Sequence, residues 1–298
     1  MTSFSALVKR NTKLFFKDKG MFFTSLITPM ILLVLYSTFL AGVYRDSFAS
    51  SIPEMLSIEE KLVNGTVASQ LVSSLLAVSC VTVAFCSNLL MVQDKVSGAR
   101  RDLCVSPVKG SVLAAAYFVS SALVTLIITF SALGVCLLYI LKEGWYLSGT
   151  DVALLFLDVF LLTLFGVALS SCVNFFLSTN GQSSAVGTIV SAGYGFVCGA
   201  YMPISSFSSG LQKALSFLPG TYATSLIRNH AMRGVFSEME GLGFPPEVME
   251  KIRDSVDCNL FFLEKSVSIP LMYAVLCGSV ALFGLLYILF NVLNKKES

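Results

Sequence analysis

The chain has 298 residues, of which 55% are apolar and 13% charged, with a formal net charge of +2. An ordinary soluble domain carries roughly 25% charged residues, so this composition excludes a water-dissolved globule and points to a protein embedded in lipid. A bilayer core about 30 Å thick needs roughly 20 apolar residues per helical span, and six stretches qualify: 21–44, 68–92, 112–141, 152–177, 184–202 and 267–293. Strand-period alternation is absent, and backbone in lipid must satisfy its own hydrogen bonds, so the expected fold class is an all-α membrane protein with six transmembrane helices in a single domain over 1–298.

In chain order, residues 1–20 lack the short apolar core and cleavage site of a signal peptide, so no removal is expected. There Phe4, Leu7, Leu14, Phe15 and Phe16 mix with Lys9, Arg10, Lys13, Lys17 and Lys19. That mixture predicts an amphipathic helix in the cytoplasmic headgroup layer, the alternative being an unstructured basic tail. Pro29 should kink the first span, because it removes one backbone hydrogen bond.

Orientation follows from the basic residues on short loops. Segments 1–20, 93–110, 178–183 and 294–298 carry eleven Lys and Arg, whereas 45–67 and 142–151 carry only Arg45, Lys61 and Lys142. Both termini are expected in the cytoplasm and 203–266 outside. Six of the eight cysteines fall inside spans, Cys104 is cytoplasmic and Cys258 outward, so the pattern predicts neither a disulfide framework nor a zinc site.

The loop 93–110, QDKVSGARRDLCVSPVKG, is the only sizeable cytoplasmic connection between spans. It reads as a docking element: a short helix ended by Pro107, with Lys95, Arg100 and Arg101 for acidic groups of a cytosolic partner and Leu103 and Val105 for an apolar pocket. A merely solvated loop would explain the charges but not the Gly98 and Ser106-Pro107 punctuation.

Asp158, within LLFLDVFLL, is the one clear intramembrane charge and lies about 10 Å into the fourth span. It either lines a water-filled or substrate path, or packs helix to helix as a hydrogen-bonded carboxyl. Beyond the fifth span, ISSFSSGLQKALSFL and YATSLIRNHAMRGVF are each too short to cross and read as two re-entrant half-membrane helices. PPEVMEKIRDSV predicts a small amphipathic external helix with Pro246 at its first position.

Covalent chemistry has no support. No phosphate-binding loop occurs, so ATP hydrolysis by this chain alone is not expected. The only histidine is His230, and Ser183 of the GQSS motif maps to the opposite side of the membrane from it, too far for a shared proton. No catalytic, metal or cofactor site is expected.

With these motifs the chain resembles the membrane subunits of type 2 ABC exporters, in the branch of antibiotic and drug-resistance permeases similar to the daunorubicin exporters. The coupling-loop pattern falls on Asp94, Lys95, Gly98, Leu103, Ser106 and Pro107, departing at Arg100 and Arg101, where relatives often carry an acid. The re-entrant pattern falls on Gly199, Pro203, Ile204, Leu218, Pro219, Thr221, Tyr222 and Arg228, departing at Ser209-Gly210. The resemblance implies a separate nucleotide-binding ATPase subunit that holds ATP and Mg, and a second copy of the permease as a homodimer. It also implies a prokaryotic plasma membrane, and export of small amphipathic or lipophilic compounds. Nucleic acid is not an expected partner. Two alternatives stand: export of a polysaccharide or teichoic-type polymer, against which the single Trp145 speaks, and a non-transport sensor or scaffold.

Overall fold

A computed structural model describes residues 3–50, 59–263 and 265–294. Twelve helices account for most of them: α1 (Ser3–Lys17), α2 (Lys19–Leu35), α3 (Ala41–Ser50), α4 (Glu60–Val96), α5 (Ala99–Val105), α6 (Gly110–Glu143), α7 (Gly149–Phe176), α8 (Asn180–Val197), α9 (Ser209–Leu215), α10 (Pro219–Gly241), α11 (Pro246–Ser255) and α12 (Ile269–Asn294). A two-stranded antiparallel hairpin, β1 (Phe261–Phe262) and β2 (Lys265–Ser266), precedes α12. Among the described residues, five helical stretches are long and apolar enough to cross a membrane: Lys19–Phe39, Glu60–Val96, Gly110–Glu143, Gly149–Phe176 and Ile269–Leu293.

The range expected as the fifth span forms α8, but its Asn-Gly-Gln-Ser-Ser opening and small residues keep it outside that apolar set. Pro29 does not interrupt α2. The departure from α geometry comes later, at a π turn over Tyr36–Leu40 that joins α2 to α3.

Local chemistry explains several boundaries. Asp18 caps α2 through Met21 N–H at 3.1 Å. Ser148 with Asp151, and Thr179 with Gln182, form capping boxes at the starts of α7 and α8. Pro219 and Pro246 open α10 and α11, where the missing N–H costs nothing. Gly98, at φ +83°, turns the chain from α4 into α5, and Gly199, at φ +74°, ends the segment after α8.

The centre of the bundle is α4, which packs against α6, α7, α10, α8 and α2 and is buried along nearly all its length. Its surface is built for close approach. Ala, Ser, Thr and Gly let neighbouring backbones come near, and the hydroxyls of Thr66, Ser73 and Thr82 donate to carbonyls within α4 at 2.7–3.0 Å. Asn88 joins three helices, donating to the Ser170 and Ser171 hydroxyls of α7 at 2.5 and 3.0 Å and accepting from Ser121 of α6 at 2.9 Å. Gly166 of α7 lets this helix approach α4 closely, since a Cβ there would lie a tight 3.1 Å from the Cys80 carbonyl oxygen.

Two apolar clusters lie at opposite ends of α4. One joins Leu7 of α1, Met91 of α4, Leu103 of α5, Leu113 of α6, Cys172 of α7 and Tyr287 of α12. The other joins Leu62 of α4, Phe48 of α3, Tyr146, Met232 and Phe236 of α10, and Met249 and Ile252 of α11. Among the described residues, α1 and the segment 95–109, both rich in Lys and Arg, thus lie at one end of the bundle, and the acidic segment 233–260 lies at the other.

Candidate functional site

The loop after α4 is built on two consecutive residues that face opposite neighbours. Asp94 is 5% exposed. Its carboxylate accepts two hydrogen bonds from the Arg10 guanidinium of α1, at 2.7 and 3.0 Å, and a third from the Tyr117 hydroxyl of α6 at 2.5 Å. Lys95 turns the other way. Its ammonium donates to the carbonyls of Asn174, Phe175 and Leu177 at 3.1, 2.5 and 2.8 Å, which closes the C-terminal turn of α7 where cations complement the helix dipole. The amphipathic α1 is clamped by the first of these contacts and by Leu7, Asn11 and Phe15, which are all buried.

These contacts redistribute the expected docking residues. Lys95 is committed to α7 rather than free for a partner, and Leu103 is half-buried in the basic-end apolar cluster rather than offered outward. Arg100 is half-buried over the Phe175 ring, with its guanidinium carbon 5.9 Å from the ring centroid. The outward surface of α5 is carried by Arg101, Asp102, Cys104 and Val105, the last 83% exposed. Ser106 donates to the Leu103 carbonyl at 2.6 Å, and exposed Pro107 follows before α6 begins. The loop is therefore a short helix held on two anchored residues and a glycine hinge point, not a free strand.

Asp158 lies in the packed interior at 1% exposure. One carboxylate oxygen meets His230 Nδ1 of α10 at 2.6 Å, and the other accepts from the Tyr273 hydroxyl of α12 at 2.5 Å. Both carboxylate oxygens are thus occupied, and the contacts tie α7, α10 and α12 together. Ser183 donates to the Thr179 carbonyl at 3.2 Å and has no part in this cluster.

The motif read as re-entrant assembles around Arg228, which is 2% exposed. Its guanidinium donates to the Val256 carbonyl at 2.7 Å, the Ser74 hydroxyl at 3.0 Å, the Gly199 carbonyl at 3.1 Å and the Ser73 hydroxyl at 3.4 Å. It also pairs with Asp257 at 3.5 Å. Asp257 accepts from the backbone N–H of Ile204 at 2.7 Å, just past Pro203. Burial pushes the Asp257 carboxyl above its ordinary range, against the pull of Arg228 and of the Ile204 and Ser205 N–H groups. Leu218 and Pro219 begin α10, Thr221 donates to the Leu215 carbonyl at 3.0 Å, and the Tyr222 hydroxyl donates to the Ser216 carbonyl. α10 runs 23 residues, with one end packed on α4, α7 and α12 and the other extending under α11.

Arg10, Asn88, Tyr117, His230, Asp257 and Tyr273 complete these clusters and carry no motif that would single them out. The only cue is chemical: a buried charge such as Asp158 requires a partner, but the partner lies 72 residues away for His230 and 115 for Tyr273.

Among the described residues, a helical bundle with five membrane-length apolar helices and a short anchored helix between two of them is that of a multi-pass membrane protein. Residues 49–293 match the family described as ABC-2 family transporter protein, and the chain belongs to that family. Its members are the transport membrane subunits of ABC systems and generally work with an ATPase partner. A comparison with curated proteins gives no match.

Proposed function

We propose that this chain is the membrane subunit of an ATP-driven exporter of small amphipathic or lipophilic compounds. A separate ATPase subunit, holding ATP and Mg, drives two copies of the permease in a plasma membrane. In this reading α8 forms the fifth of six spans, α9 and the first turns of α10 the re-entrant pair, and α1 an interfacial helix. The basic end, with both termini, faces the cytoplasm, as the clustering of cations there supports.

The observation that carries the reading is the seating of α5. A force on its exposed face reaches α4 directly through Gly98, and the Asp94 and Lys95 contacts spread it to α1, α6 and α7. Because α4 is the buried centre of the bundle, moving its end moves the contacts of most other helices. Carboxyl chemistry at Asp158 enters as a tie between helices that transport would have to strain or break, not as a contact to cargo.

The test is co-purification of the tagged permease with the ATPase encoded beside it, together with substrate-stimulated ATP hydrolysis. Arg100→Glu/Arg101→Glu and, as the apolar probe, Val105→Asp should weaken both. Exposed pairs are worth under about 1 kcal/mol each, and desolvated ones several. Leu103→Asp is unsuited, because Leu103 packs inside the chain. Full retention of complex and stimulation by both variants, with normal membrane insertion, refutes the coupling role of α5. Activity supported only by a polymer substrate would favour the polysaccharide alternative.

A further inference from the structure

Beside the outward face of α5 lies a cleft of about 850 Å³, walled by α5, the start of α6, the end of α7 and Asn291 of α12. Four cations, Lys95, Arg100, Arg101 and Lys109, line it, and among the described residues no carboxylate does. Lys95 is satisfied by the α7 carbonyls, but Arg100 is not. Its Nη2 reaches only the Asn291 side-chain oxygen, at 3.5 Å, and its Nη1 is buried with no acceptor among the described residues. The deeply buried Arg228 contrasts with it, donating to the Val256 carbonyl at 2.7 Å and to three further acceptors. A concentration of positive charge with a buried, unmet donor marks a place for an anionic acceptor.

The opposite wall is apolar. Leu113, Phe175 and Phe176 line it, and the Phe176 ring lies 5.0 Å from Phe290 of α12. On α12 itself Leu289 and Leu293 are 49% and 52% exposed, an apolar surface for acyl chains. The cleft sits where the ends of α4, α6, α7 and α12 meet, at the rim of the membrane-length helices.

We infer that this cleft binds the phosphate headgroup of an anionic membrane phospholipid, with its acyl chains along Phe176 and the exposed face of α12. Basic pockets between helix ends are suited to such headgroups, and the aromatic wall gives the acyl part a surface that a free anion would not use. The lipid supplies the acceptor that Arg100 lacks and offsets the repulsion among the four cations. It also ties α5 to α7 and α12, so occupancy stiffens the helix through which we propose the ATPase acts.

Full-length protein purified in detergent, titrated with phosphatidylglycerol or phosphatidylcholine and read by native mass spectrometry, tests this. Wild type should retain phosphatidylglycerol in preference to phosphatidylcholine by about tenfold or more. That preference should fall about fivefold for each cation removed in Arg101→Gln and Lys109→Gln, and further in Arg100→Gln. Arg101 and Lys109 are exposed, so their variants report even if Arg100→Gln fails to fold. Lys251→Gln, at the opposite end, should leave the preference unchanged. Equal retention of the two lipids, or equal loss in Lys251→Gln, overturns the inference. So does full displacement of the lipid by inorganic phosphate at the same concentration, which would make the ligand a free anion. ATPase binding that requires Arg100 while lipid preference does not would assign the cations to the protein partner and likewise overturn it.

Discussion

Replacing Arg228 by Met tests the polar centre beneath α11 most directly. The side chain keeps much of its apolar length but loses every donor, leaving the Val256 and Gly199 carbonyls and the Ser73 and Ser74 hydroxyls short of a partner and Asp257 buried without its cation. Breaking one side of a buried ion pair costs about 3–5 kcal/mol. The orphaned carbonyls fall within that figure rather than adding to it, because Asp257 can relieve part of the penalty by taking up a proton. The pH dependence has a definite sign. Asp257 already has a folded-state pKa raised above its ordinary value by burial, and removing Arg228 raises it further. The folded state then binds the proton more tightly than the unfolded one, so stability falls as pH rises from the ordinary carboxylate range through the folded pKa. Melting of detergent-purified protein, followed by size-exclusion chromatography, should show Arg228→Met clearly below wild type at neutral pH and closer to it in acid. Adding Asp257→Asn should recover about 0.5–3 kcal/mol of the loss, as expected for coupled neighbours. An Arg228→Met protein that melts like wild type, or a deficit that widens in acid, would refute this account of the cluster.

Asp158→Asn should melt slightly below wild type, because the amide oxygen still accepts from Tyr273, whereas Asp158→Ala should lose about 2–4 kcal/mol by stranding both His230 and Tyr273. Equal melting of the Asn and Ala variants, with transport altered in both, would return Asp158 to a substrate path. Cysteine labelling of intact cells with an impermeant maleimide should leave Cys258 unmodified, since it is 3% exposed and burial pushes its thiol up to about 12. Lys251→Cys on the exposed face of α11 should react from outside, and exposed Cys104 only after permeabilisation. Reaction of Cys104 in intact cells without Lys251→Cys would invert the orientation.

Much of the architecture is local and was legible without coordinates. Apolar runs of membrane length mark α2, α4, α6, α7 and α12, because a helix in lipid satisfies its backbone internally whatever its neighbours are. The short helix after Gly98, the helix opening at Pro246 and the amphipathic α1 likewise depend on residues within a turn or two of one another. The same local reading erred where a segment's fate depends on what covers it. It ended the helix after Pro219 near Phe236, although α10 continues to Gly241, and packing on α4, α7 and α12 buries Arg228 and His230 within it. It offered Lys95 and Leu103 to a partner, although the end of α7 takes one and the basic-end cluster the other. It assigned Cys258 a side of the membrane by topology but could not show that α10 and α11 bury it. Burial cost dictates from sequence that Asp94, Asp158 and Arg228 must have partners. That the partners are Arg10 with Tyr117, His230 with Tyr273, and Asp257 was decided only by the order and rotation of the helices, because those contacts join positions 23 to 115 residues apart along the chain.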